Sequence, residues 1–320
     1  MVVAAAAALL PTACSSSESS EADASGIAKV NIAYAPGPTA SWGGLYLVQS
    51  DPEMCEEYGV RPTVTGLALP AATAGLSSGN IDYVVEGSSG FLVAANNGSP
   101  TVAIASYGSL PLELYAAEGI DSLADLKGKT IVASAQGSLP DVVAHVAFDS
   151  VGLELGSDVK TVYSGTAAAA MSLFVAGKAD AFVYLPPVPA DLTEAGAHSI
   201  YSASGIAEID SLSRSVVVAS DRALGKTDVT TGVLKCLQAA GEMALSDSSK
   251  TVPLIAKYVS IDEESAQGQY DSLKSSYTLR PYTVDDATAV VDLLQKYGVA
   301  DFEDFTPDKV INDDLIKGVG

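Results

Sequence analysis

The chain has few of the residues that build metal sites and disulfide frameworks. Its 320 residues include three cysteines and two histidines, His145 and His198, which stand far apart in the sequence. Structural metal sites and disulfide-rich scaffolds need such residues in dense, regularly spaced sets. The sequence therefore predicts no metal site, and it gives no reason to expect a cofactor.

Basic residues are also scarce. The sequence has 17 lysines and arginines against 39 aspartates and glutamates, a net charge of −22. A surface of this charge repels nucleic acid phosphates and anionic lipid headgroups, so we expect neither as a partner. The acidic excess is expected to keep the protein soluble. It does not exclude an anionic ligand, because a cleft can supply local hydrogen-bond donors.

Catalytic signatures are missing as well. Two Gly-Lys-Thr triplets, at 128–130 and 225–227, lack the glycine that a phosphate-binding loop needs five positions before its Gly-Lys; Leu123 and Ser220 stand there instead. The Gly-Ser-Ser-Gly segment at 87–90 lacks the closing glycine of a nucleophile elbow. The sequence therefore predicts that the protein is not an enzyme.

The N-terminus is typical of an exported protein. Residues 1–10 form an apolar run that is too short to span a bilayer but suits an export signal. Residues 1–14, which end at Cys14, resemble a bacterial lipoprotein signal, in which the cysteine carries the lipid. Residues 15–26 are serine-rich and acidic, as in a flexible tether. No basic residue precedes the apolar run, and Pro11 replaces the usual leucine, so an ordinary cleaved signal with an incidental cysteine is the alternative.

Beyond the tether, short β-branched segments alternate with longer helical ones. This alternation predicts α/β units with mainly parallel sheets, and its repetition predicts two lobes. Strands are predicted at 30–35, 62–66, 81–85, 101–106, 130–134, 159–163, 179–184 and 198–201. Helices are predicted at 141–151, 167–176, 229–245, 252–258, 262–273 and 284–297.

Two segments interrupt the alternation, at 107–115 and 214–219, and we interpret them as crossover strands of a hinge. Lobe one is then predicted to comprise 27–108 and 216–320, and lobe two 109–215. Ligands of open α/β sheets bind beyond the carboxyl ends of the strands. The strand-end loops of both lobes can therefore face one cleft.

Two local features are specific enough to test. Thr283, followed three residues later by Asp286, predicts the start of the last long helix. Cys55 and Cys236 would pair in an oxidising compartment, but two buried free thiols fit the sequence equally well.

The first candidate ligand loop spans 36–44 and contains Thr39, Ser41, Trp42 and Gly43. It combines turn residues, hydroxyl groups and the only tryptophan, immediately before a helical segment. An aromatic ring in such a loop can serve as a platform for a ligand. Packing in a core is the alternative role of this tryptophan.

Two further loops join the end of a strand to the start of a helix. One contains Ser88 and Ser89, and the other contains Gln136, Gly137 and Ser138. Glycines let the backbone approach a ligand, and a helix start presents unpaired N–H groups. Two such helix starts across a cleft could hold a sulfonate, carboxylate or nitro-like group. The serines could instead act only as helix caps.

Two tyrosines complete the predicted site. Tyr184 ends a strand before two prolines, and Tyr107 lies at the predicted hinge. Tyrosines in a cleft suit a flat or partly apolar solute. Each of them could equally be a packing residue.

Three segments of the body are typical of one family. They are GNIDY at 79–83, DSLADLKGKTI at 121–131 and AGKADAF at 176–182. In this order and at these separations they resemble segments of the periplasmic solute-binding proteins of ABC importers, and the resemblance covers about 29–297. The nearest group is the branch that binds aliphatic sulfonates, taurine, nitrate and thiamine-pyrimidine precursors.

This resemblance implies a two-lobed type II periplasmic-binding fold whose hinge closes the cleft on a solute. It also implies docking on an ABC permease and a location outside the cytoplasm, with a lipid anchor as the only membrane contact. We expect a monomer. The resemblance places the ligand loops on 36–43, Ser88, Ser89, 136–138 and Tyr184. Since no clear arginine lies there, a backbone-held anion or a neutral heterocycle is expected.

Two other functions fit less well. A related fold occurs in thiamine-pyrimidine synthases, but such an enzyme should be cytoplasmic and should carry lysine and histidine residues in its cleft. A binding component that feeds a signalling receptor would need a separate partner.

Overall fold

The computed structural model describes residues 26–35, 37–273 and 276–319, and folds them into two β-sheets with helices around them. The predicted signal with its lipidation site at Cys14, nearly all of the predicted tether, and Pro36 lie outside the described residues. Among the residues that are described, no helix is long and apolar enough to cross a membrane.

The first sheet has six strands. They are β1 Ala28–Tyr34, β2 Val60–Gly66, β3 Tyr83–Gly87, β4 Thr101–Ser109, β10 Arg214–Ser220 and β11 Leu279–Arg280. Their order across the sheet is β11-β4-β10-β3-β1-β2. Strand β1 is parallel to β2 and β3, whereas β10 is antiparallel to both β3 and β4.

The second sheet has five strands. They are β5 Glu113–Ala116, β6 Thr130–Ala133, β7 Lys160–Tyr163, β8 Ala181–Tyr184 and β9 His198–Ser202. Their order is β7-β6-β8-β5-β9. Strand β6 is parallel to β7 and β8, and β5 is antiparallel to β8 and β9.

The expectation of mainly parallel sheets is wrong, although every predicted strand overlaps an observed one. The described sheets contain four parallel and five antiparallel pairings. The antiparallel pairings all involve β4, β5 or β10, next to the points where the chain passes from one sheet to the other. A chain that leaves a sheet and later returns to it places oppositely directed strands side by side.

Thirteen α-helices occur among the described residues. They are α1 Gly43–Ser50, α2 Leu69–Ser78, α3 Ser88–Asn96, α4 Leu139–Asp149, α5 Ala167–Val175, α6 Ala190–Glu194, α7 Ala207–Ser213, α8 Asp221–Leu224, α9 Thr227–Ser246, α10 Ser248–Val259, α11 Glu263–Leu273, α12 Val284–Lys296 and α13 Asp314–Lys317. Helix α12 begins as predicted, because the Thr283 hydroxyl accepts the Asp286 N–H and the Asp286 carboxylate accepts the Thr283 N–H.

Each sheet packs between layers of helices. One face of the first sheet packs on α1, α9, α10 and α11, and the other packs on α3 and α12. Alternate residues of β1 serve different faces: Ile32 lies in the first of these cores, and Ala33 packs towards α2. This two-residue period is what a strand buried on both faces requires.

Two aspartates of the recognised segments have the same structural role in the two sheets. Asp82 precedes β3 and accepts the backbone N–H of Asn31 in β1, at 2.9 Å. Asp180 precedes β8 and accepts that of Thr130 in β6, at 2.8 Å. Each carboxylate therefore fixes a strand to its parallel neighbour, which explains an aspartate at these positions without any contact to a ligand.

The chain passes between the sheets at 110–112 and again within 203–213. The predicted lobe boundaries stay a proposal, with lobe one at 27–108 and 216–320 and lobe two at 109–215. Helix α7 lies at the second boundary and contacts α3 and α12 on one side and α4 on the other.

Cys55 and Cys236 form a disulfide, with their Cα atoms 5.1 Å apart. The bond joins the short 3-10 helix Pro52–Tyr58 to α9, and both side chains are buried. Of the two alternatives that the sequence leaves open, the structure has the paired one.

Candidate functional site

A cavity of about 730 Å³ lies between the two sheets. It opens beyond the carboxyl ends of β1 and β3 on one side, and of β6 and β8 on the other. Its walls include Ala35, Gly87, Ser134 and Tyr184, each at or just after the end of one of these strands. The cavity therefore lies where strand-end loops of two α/β units meet, and its size is that of a small-molecule site.

The wall of the cavity is mostly apolar, with hydroxyl groups at intervals. Large apolar side chains come from both sides, for example those of Leu69, Met171 and Phe182. The polar side chains are those of Thr39, Ser41, Trp42, Thr73, Ser89, Ser134, Ser138, Tyr184 and Ser215. No lysine, arginine, histidine, aspartate or glutamate is among the described residues that line it.

Seven of the predicted binding residues line this cavity, and four do not. The seven are Thr39, Ser41, Trp42, Ser89, Gly137, Ser138 and Tyr184. The other four are Gly43, Ser88, Tyr107 and Gln136. A role in ligand binding stays a prediction for all eleven residues.

Three of the four residues away from the cavity are buried in lobe one. The Ser88 hydroxyl donates to the carbonyl oxygens of Ser211 and Leu212 in α7, at 3.2 and 3.1 Å. Gly43 packs so closely on the Tyr277 ring that a Cβ atom there would lie 2.9 Å from it. Tyr107 is 2 % exposed.

Gln136 is exposed, in the loop between β6 and α4. The sequence analysis selects Gln136 as part of the loop 136–138. Gly137 and Ser138 of this loop line the cavity, whereas Gln136 does not.

The loop after β1 is held by its own hydrogen bonds. The Trp42 indole N–H donates to the carbonyl oxygen of Gly37 at 2.9 Å, and the Tyr46 hydroxyl donates to that of Thr39 at 2.8 Å. The hydroxyls of Thr39 and Ser41 bond to each other. The Trp42 ring is largely buried and also contributes to the cavity wall. This tryptophan therefore packs in the core, and its role as a platform for a ligand stays a prediction.

Two amide groups of the loop before α4 already have partners within the protein. The Gly137 N–H donates to Oδ2 of Asp141 at 2.8 Å, and the Ser138 N–H donates to the carbonyl oxygen of Ala135 at 3.2 Å. Asp141 is 1 % exposed and also accepts a hydrogen bond from the Tyr163 hydroxyl. A carboxylate thus occupies the start of α4, where the sequence suggested that a ligand anion would bind.

The sequence analysis did not select Thr73, Ser134 and Ser215, which line the cavity, or Glu86 in β3, which is buried close to it. Glu86 is 4 % exposed, and its Oε2 has no hydrogen-bond partner among the described residues. Burial raises the pKa of this carboxyl to about 7. A Cβ atom built on Gly90, which lines the cavity, would lie 3.3 Å from this Oε2. One feature of the sequence could have pointed to Glu86: it is a lone acid at the end of an apolar strand, directly before Gly-Ser-Ser-Gly.

Tyr184 ends β8 on the opposite side of the cavity. Burial raises the pKa of its hydroxyl, so it is a neutral group that can donate or accept a hydrogen bond. No group of three or more histidine, cysteine, aspartate or glutamate side chains in the described part of the chain could hold a metal ion.

A family model agrees with this architecture. The model described as "ABC transporter, phosphonate, periplasmic substrate-binding protein" matches residues 54–248, more than half of the chain. The chain belongs to this family. No curated protein matches it at a significant level.

Solved structures of binding proteins have the same fold. The aliphatic sulphonate binding protein SsuA from Escherichia coli is 20 % identical, with a TM-score of 0.75 over 88 % of this chain and 97 % of that chain. The alkanesulfonate-binding protein SsuA from Xanthomonas axonopodis pv. citri, solved with MOPS, is 18 % identical, with a TM-score of 0.71 over 89 % and 98 %. The nitrate-binding protein NrtA from Synechocystis PCC 6803 is 12 % identical, with a TM-score of 0.67 over 92 % and 88 %.

These comparisons confirm the recognised family and the two-lobed periplasmic-binding fold. The chain is a substrate-binding component of an ABC transporter that acts outside the cytoplasm, and its family consists of binding proteins rather than enzymes. A small-molecule ligand and an ABC permease are the partners of such a component.

Proposed function

We propose that the protein captures a small organic solute in the cavity between its two sheets, closes on it, and delivers it to the permease. The observation that carries the proposal is the cavity of about 730 Å³, which has walls from both sheets in a chain of this family. We also propose that the protein acts as a monomer held at the membrane by lipid on Cys14, so that the cavity stays close to the permease.

Closure requires contacts with both halves of the protein. A ligand shifts the balance between open and closed forms only by its difference in affinity for the two. Ser89 and Trp42 from one side face Ser138 and Tyr184 from the other in the cavity wall. A solute that touches both pairs would bind the closed form better than the open form, and the permease would then recognise that form.

The wall favours a solute with an apolar body and few polar groups. Apolar side chains cover most of the cavity, and the described lining residues offer hydroxyls, an indole and backbone groups rather than charges. Such a site orients a ligand by a few hydrogen bonds and binds it through buried area. A flat heterocycle or an aryl compound fits this description better than a small inorganic ion.

The test is a thermal-shift screen of the exported protein, refolded from denaturant to remove bound solute. A ligand at one hundred times its dissociation constant should stabilise the protein by about 2.7 kcal/mol. Small-angle X-ray scattering with the best ligand should show a smaller radius of gyration. A broad screen without any stabilising ligand, or binding without contraction, would contradict the proposal.

A pair of variants separates binding in the cavity from other effects. Ala94 lies in α3 and lines the cavity, whereas Ala74 in α2 is exposed and does not. Ala94→Phe should fill the cavity and weaken ligand binding at least ten-fold, and Ala74→Phe should leave it unchanged.

A further inference from the structure

One buried carboxyl close to the cavity has an oxygen without a hydrogen-bond partner among the described residues. Glu86 is 4 % exposed, and its Oε2 accepts no hydrogen bond from any described residue. Removing an acid from water is costly unless a hydrogen bond or an opposite charge replaces the lost solvent. A residue that costs stability in this way calls for a functional explanation.

The elements around Glu86 supply no cation for it. Helices α2 and α3 contain no lysine, arginine or histidine. The cation on the neighbouring strand, Arg214, makes its ion pairs with Asp210 and Asp286. Val216, which is paired with Glu86 across the sheet, is apolar. No cation of these elements is therefore left to pair with Glu86.

The cavity wall passes close to this carboxyl, although Glu86 itself is not among the lining residues. Gly87, Ser89 and Gly90 line the wall at the start of α3. A Cβ atom at Gly90 would lie 3.3 Å from Oε2 of Glu86 and 3.2 Å from Leu69, which also lines the wall. The missing side chain at this glycine thus leaves the carboxyl close behind the cavity wall.

The opposite wall also disfavours an anion. Asp141 lies at the start of α4 and accepts the N–H of Gly137, a lining residue. A sulfonate or phosphonate between the two helix starts would have a buried carboxyl behind the wall at each of them. No cationic side chain among the described lining residues would compensate for this repulsion.

We propose, on the basis of the proposed function, that Glu86 selects a ligand with a hydrogen-bond-donating nitrogen: an amine, an amidine or an amino-substituted heterocycle. The N–H groups of the ligand approach the carboxyl past Gly90, and its apolar body lies against the wall of the cavity. A planar N–C–N edge can form two parallel hydrogen bonds with one carboxylate. The wall selects for the apolar body, and Glu86 selects for the donor.

Calorimetry with ligands of matched shape tests this inference. Benzamidine, benzylamine and 2-aminopyrimidine are the donors; benzoate, benzenesulfonate and phenylphosphonate are the oxyanions. At least one donor should bind, and every oxyanion should bind at least ten-fold more weakly. Equal or tighter binding of an oxyanion would overturn the inference, yet it would leave the proposed capture of solutes intact.

Variants locate the recognition at Glu86. Glu86→Gln should weaken donor binding ten-fold or more, whereas Glu113→Gln should not, because Glu113 accepts a hydrogen bond from Tyr115 and does not line the cavity. Gly90→Ala keeps the acid but crowds it, and should also weaken donor binding. Gly225→Ala, which has room for a Cβ and lies away from the cavity, is its control.

The outcomes distinguish the two proposals. Donor binding that is unchanged in both Glu86→Gln and Gly90→Ala would overturn the role of Glu86. Failure of all six compounds on the wild-type protein would also overturn it. The proposed function fails only if the broad screen finds no ligand that stabilises the protein and closes it.

Discussion

Lys296 Nζ lies 2.7 Å from Oδ2 of Asp149, which joins α12 beside the first sheet to α4 beside the second. The Tyr297 hydroxyl donates to the same oxygen at 2.9 Å, and the His145 ring stacks on that of Tyr297, with centroids 4.6 Å apart. These contacts connect the two halves whose relative motion is proposed to open and close the cavity.

Breaking this contact should favour the open form. In Asp149→Asn, we expect the ligand to dissociate about two- to five-fold faster, with a stability loss below about 1 kcal/mol because both side chains are partly exposed. Stopped-flow dissociation measures the first quantity and urea unfolding the second. Asp313→Asn is the matched control, since it removes a pair between Lys317 in α13 and the residue just before that helix. Equal effects of the two variants would contradict a role in closure.

Arg214 should be far more important for stability than its exposed neighbour. Its side chain is 13 % exposed, and it makes ion pairs with Asp210 and Asp286, the latter at 3.0 Å. Arg214→Ala would leave Asp286 without its cation and Asp210 with only the more distant Arg280, and we expect a loss of about 3 kcal/mol in urea unfolding. Arg280→Ala removes a more exposed arginine 3.8 Å from Asp210, and should cost less than about 1 kcal/mol. Similar losses in the two variants would refute this difference.

Asp286 should contribute to stability only above its folded pKa. Burial acts to raise the pKa of this carboxyl, but hydrogen bonds from Thr283 and Ser211 and the charge of Arg214 outweigh it, so the pKa is lowered. The stabilisation is complete above the unfolded pKa of about 4 and is lost as the pH falls through the lowered folded value. Asp286→Asn should therefore lose stability at pH 6 and show a flatter decline towards pH 3 than the wild type. If the stability of Asp286→Asn fell as steeply as that of the wild type between pH 6 and pH 3, this prediction would be contradicted.

Glu86 should affect stability in the opposite direction. Its folded pKa of about 7 lies above the unfolded value, so the folded state binds more protons between the two and stability falls as the pH rises through this range. Glu86→Gln should remove this fall and raise the stability of the ligand-free protein at pH 8 by up to about 3 kcal/mol. Urea unfolding curves from pH 5 to 8 measure this gain in stability, with Glu113→Gln as the control variant.

The charges around Glu86 do not change that sign. Helices α2 and α3 carry no ionisable side chain. The ionisable groups on the adjacent strands are Lys29, Tyr34 and Arg214; Lys29 is exposed, and Arg214 makes ion pairs with other acids. Burial is thus the cause of the raised pKa. Equal stability of the wild type and Glu86→Gln at every pH would contradict a raised pKa of Glu86.

The disulfide should contribute strongly to stability, because it closes a loop across 181 residues. Replacing both Cys55 and Cys236 by alanine should cost about 2–5 kcal/mol. Urea unfolding of the double variant tests this. The reductant dithiothreitol should destabilise the wild type and have no effect on the double variant. A wild-type protein insensitive to reduction in the unfolded state would show that the bond does not form.

Local patterns made much of the fold predictable from the sequence. Strand and helix positions follow from hydrophobic periodicity, and the start of α12 follows from Thr283 and Asp286, because these signals involve neighbours in the chain. The cavity was also predictable, since strand-end loops determine where an α/β fold binds ligands. Seven residues chosen on that ground line it.

Contacts between distant segments were not predictable. Nothing near Ser88 in the sequence indicates that its hydroxyl would bond to α7, more than 100 residues later. The antiparallel place of β10 likewise depends on where the chain returns to the first sheet. Glu86 was overlooked because its significance is the absence of a partner, and only the packing of α2 and α3 around it reveals that.

The position of Trp42 has a practical consequence. It is the only tryptophan of the chain, and it forms part of the cavity wall. Its ultraviolet emission therefore originates at the site alone, with no background from other indoles. Occupancy and the speed of entry of a solute should be measurable on unmodified protein, without an attached dye.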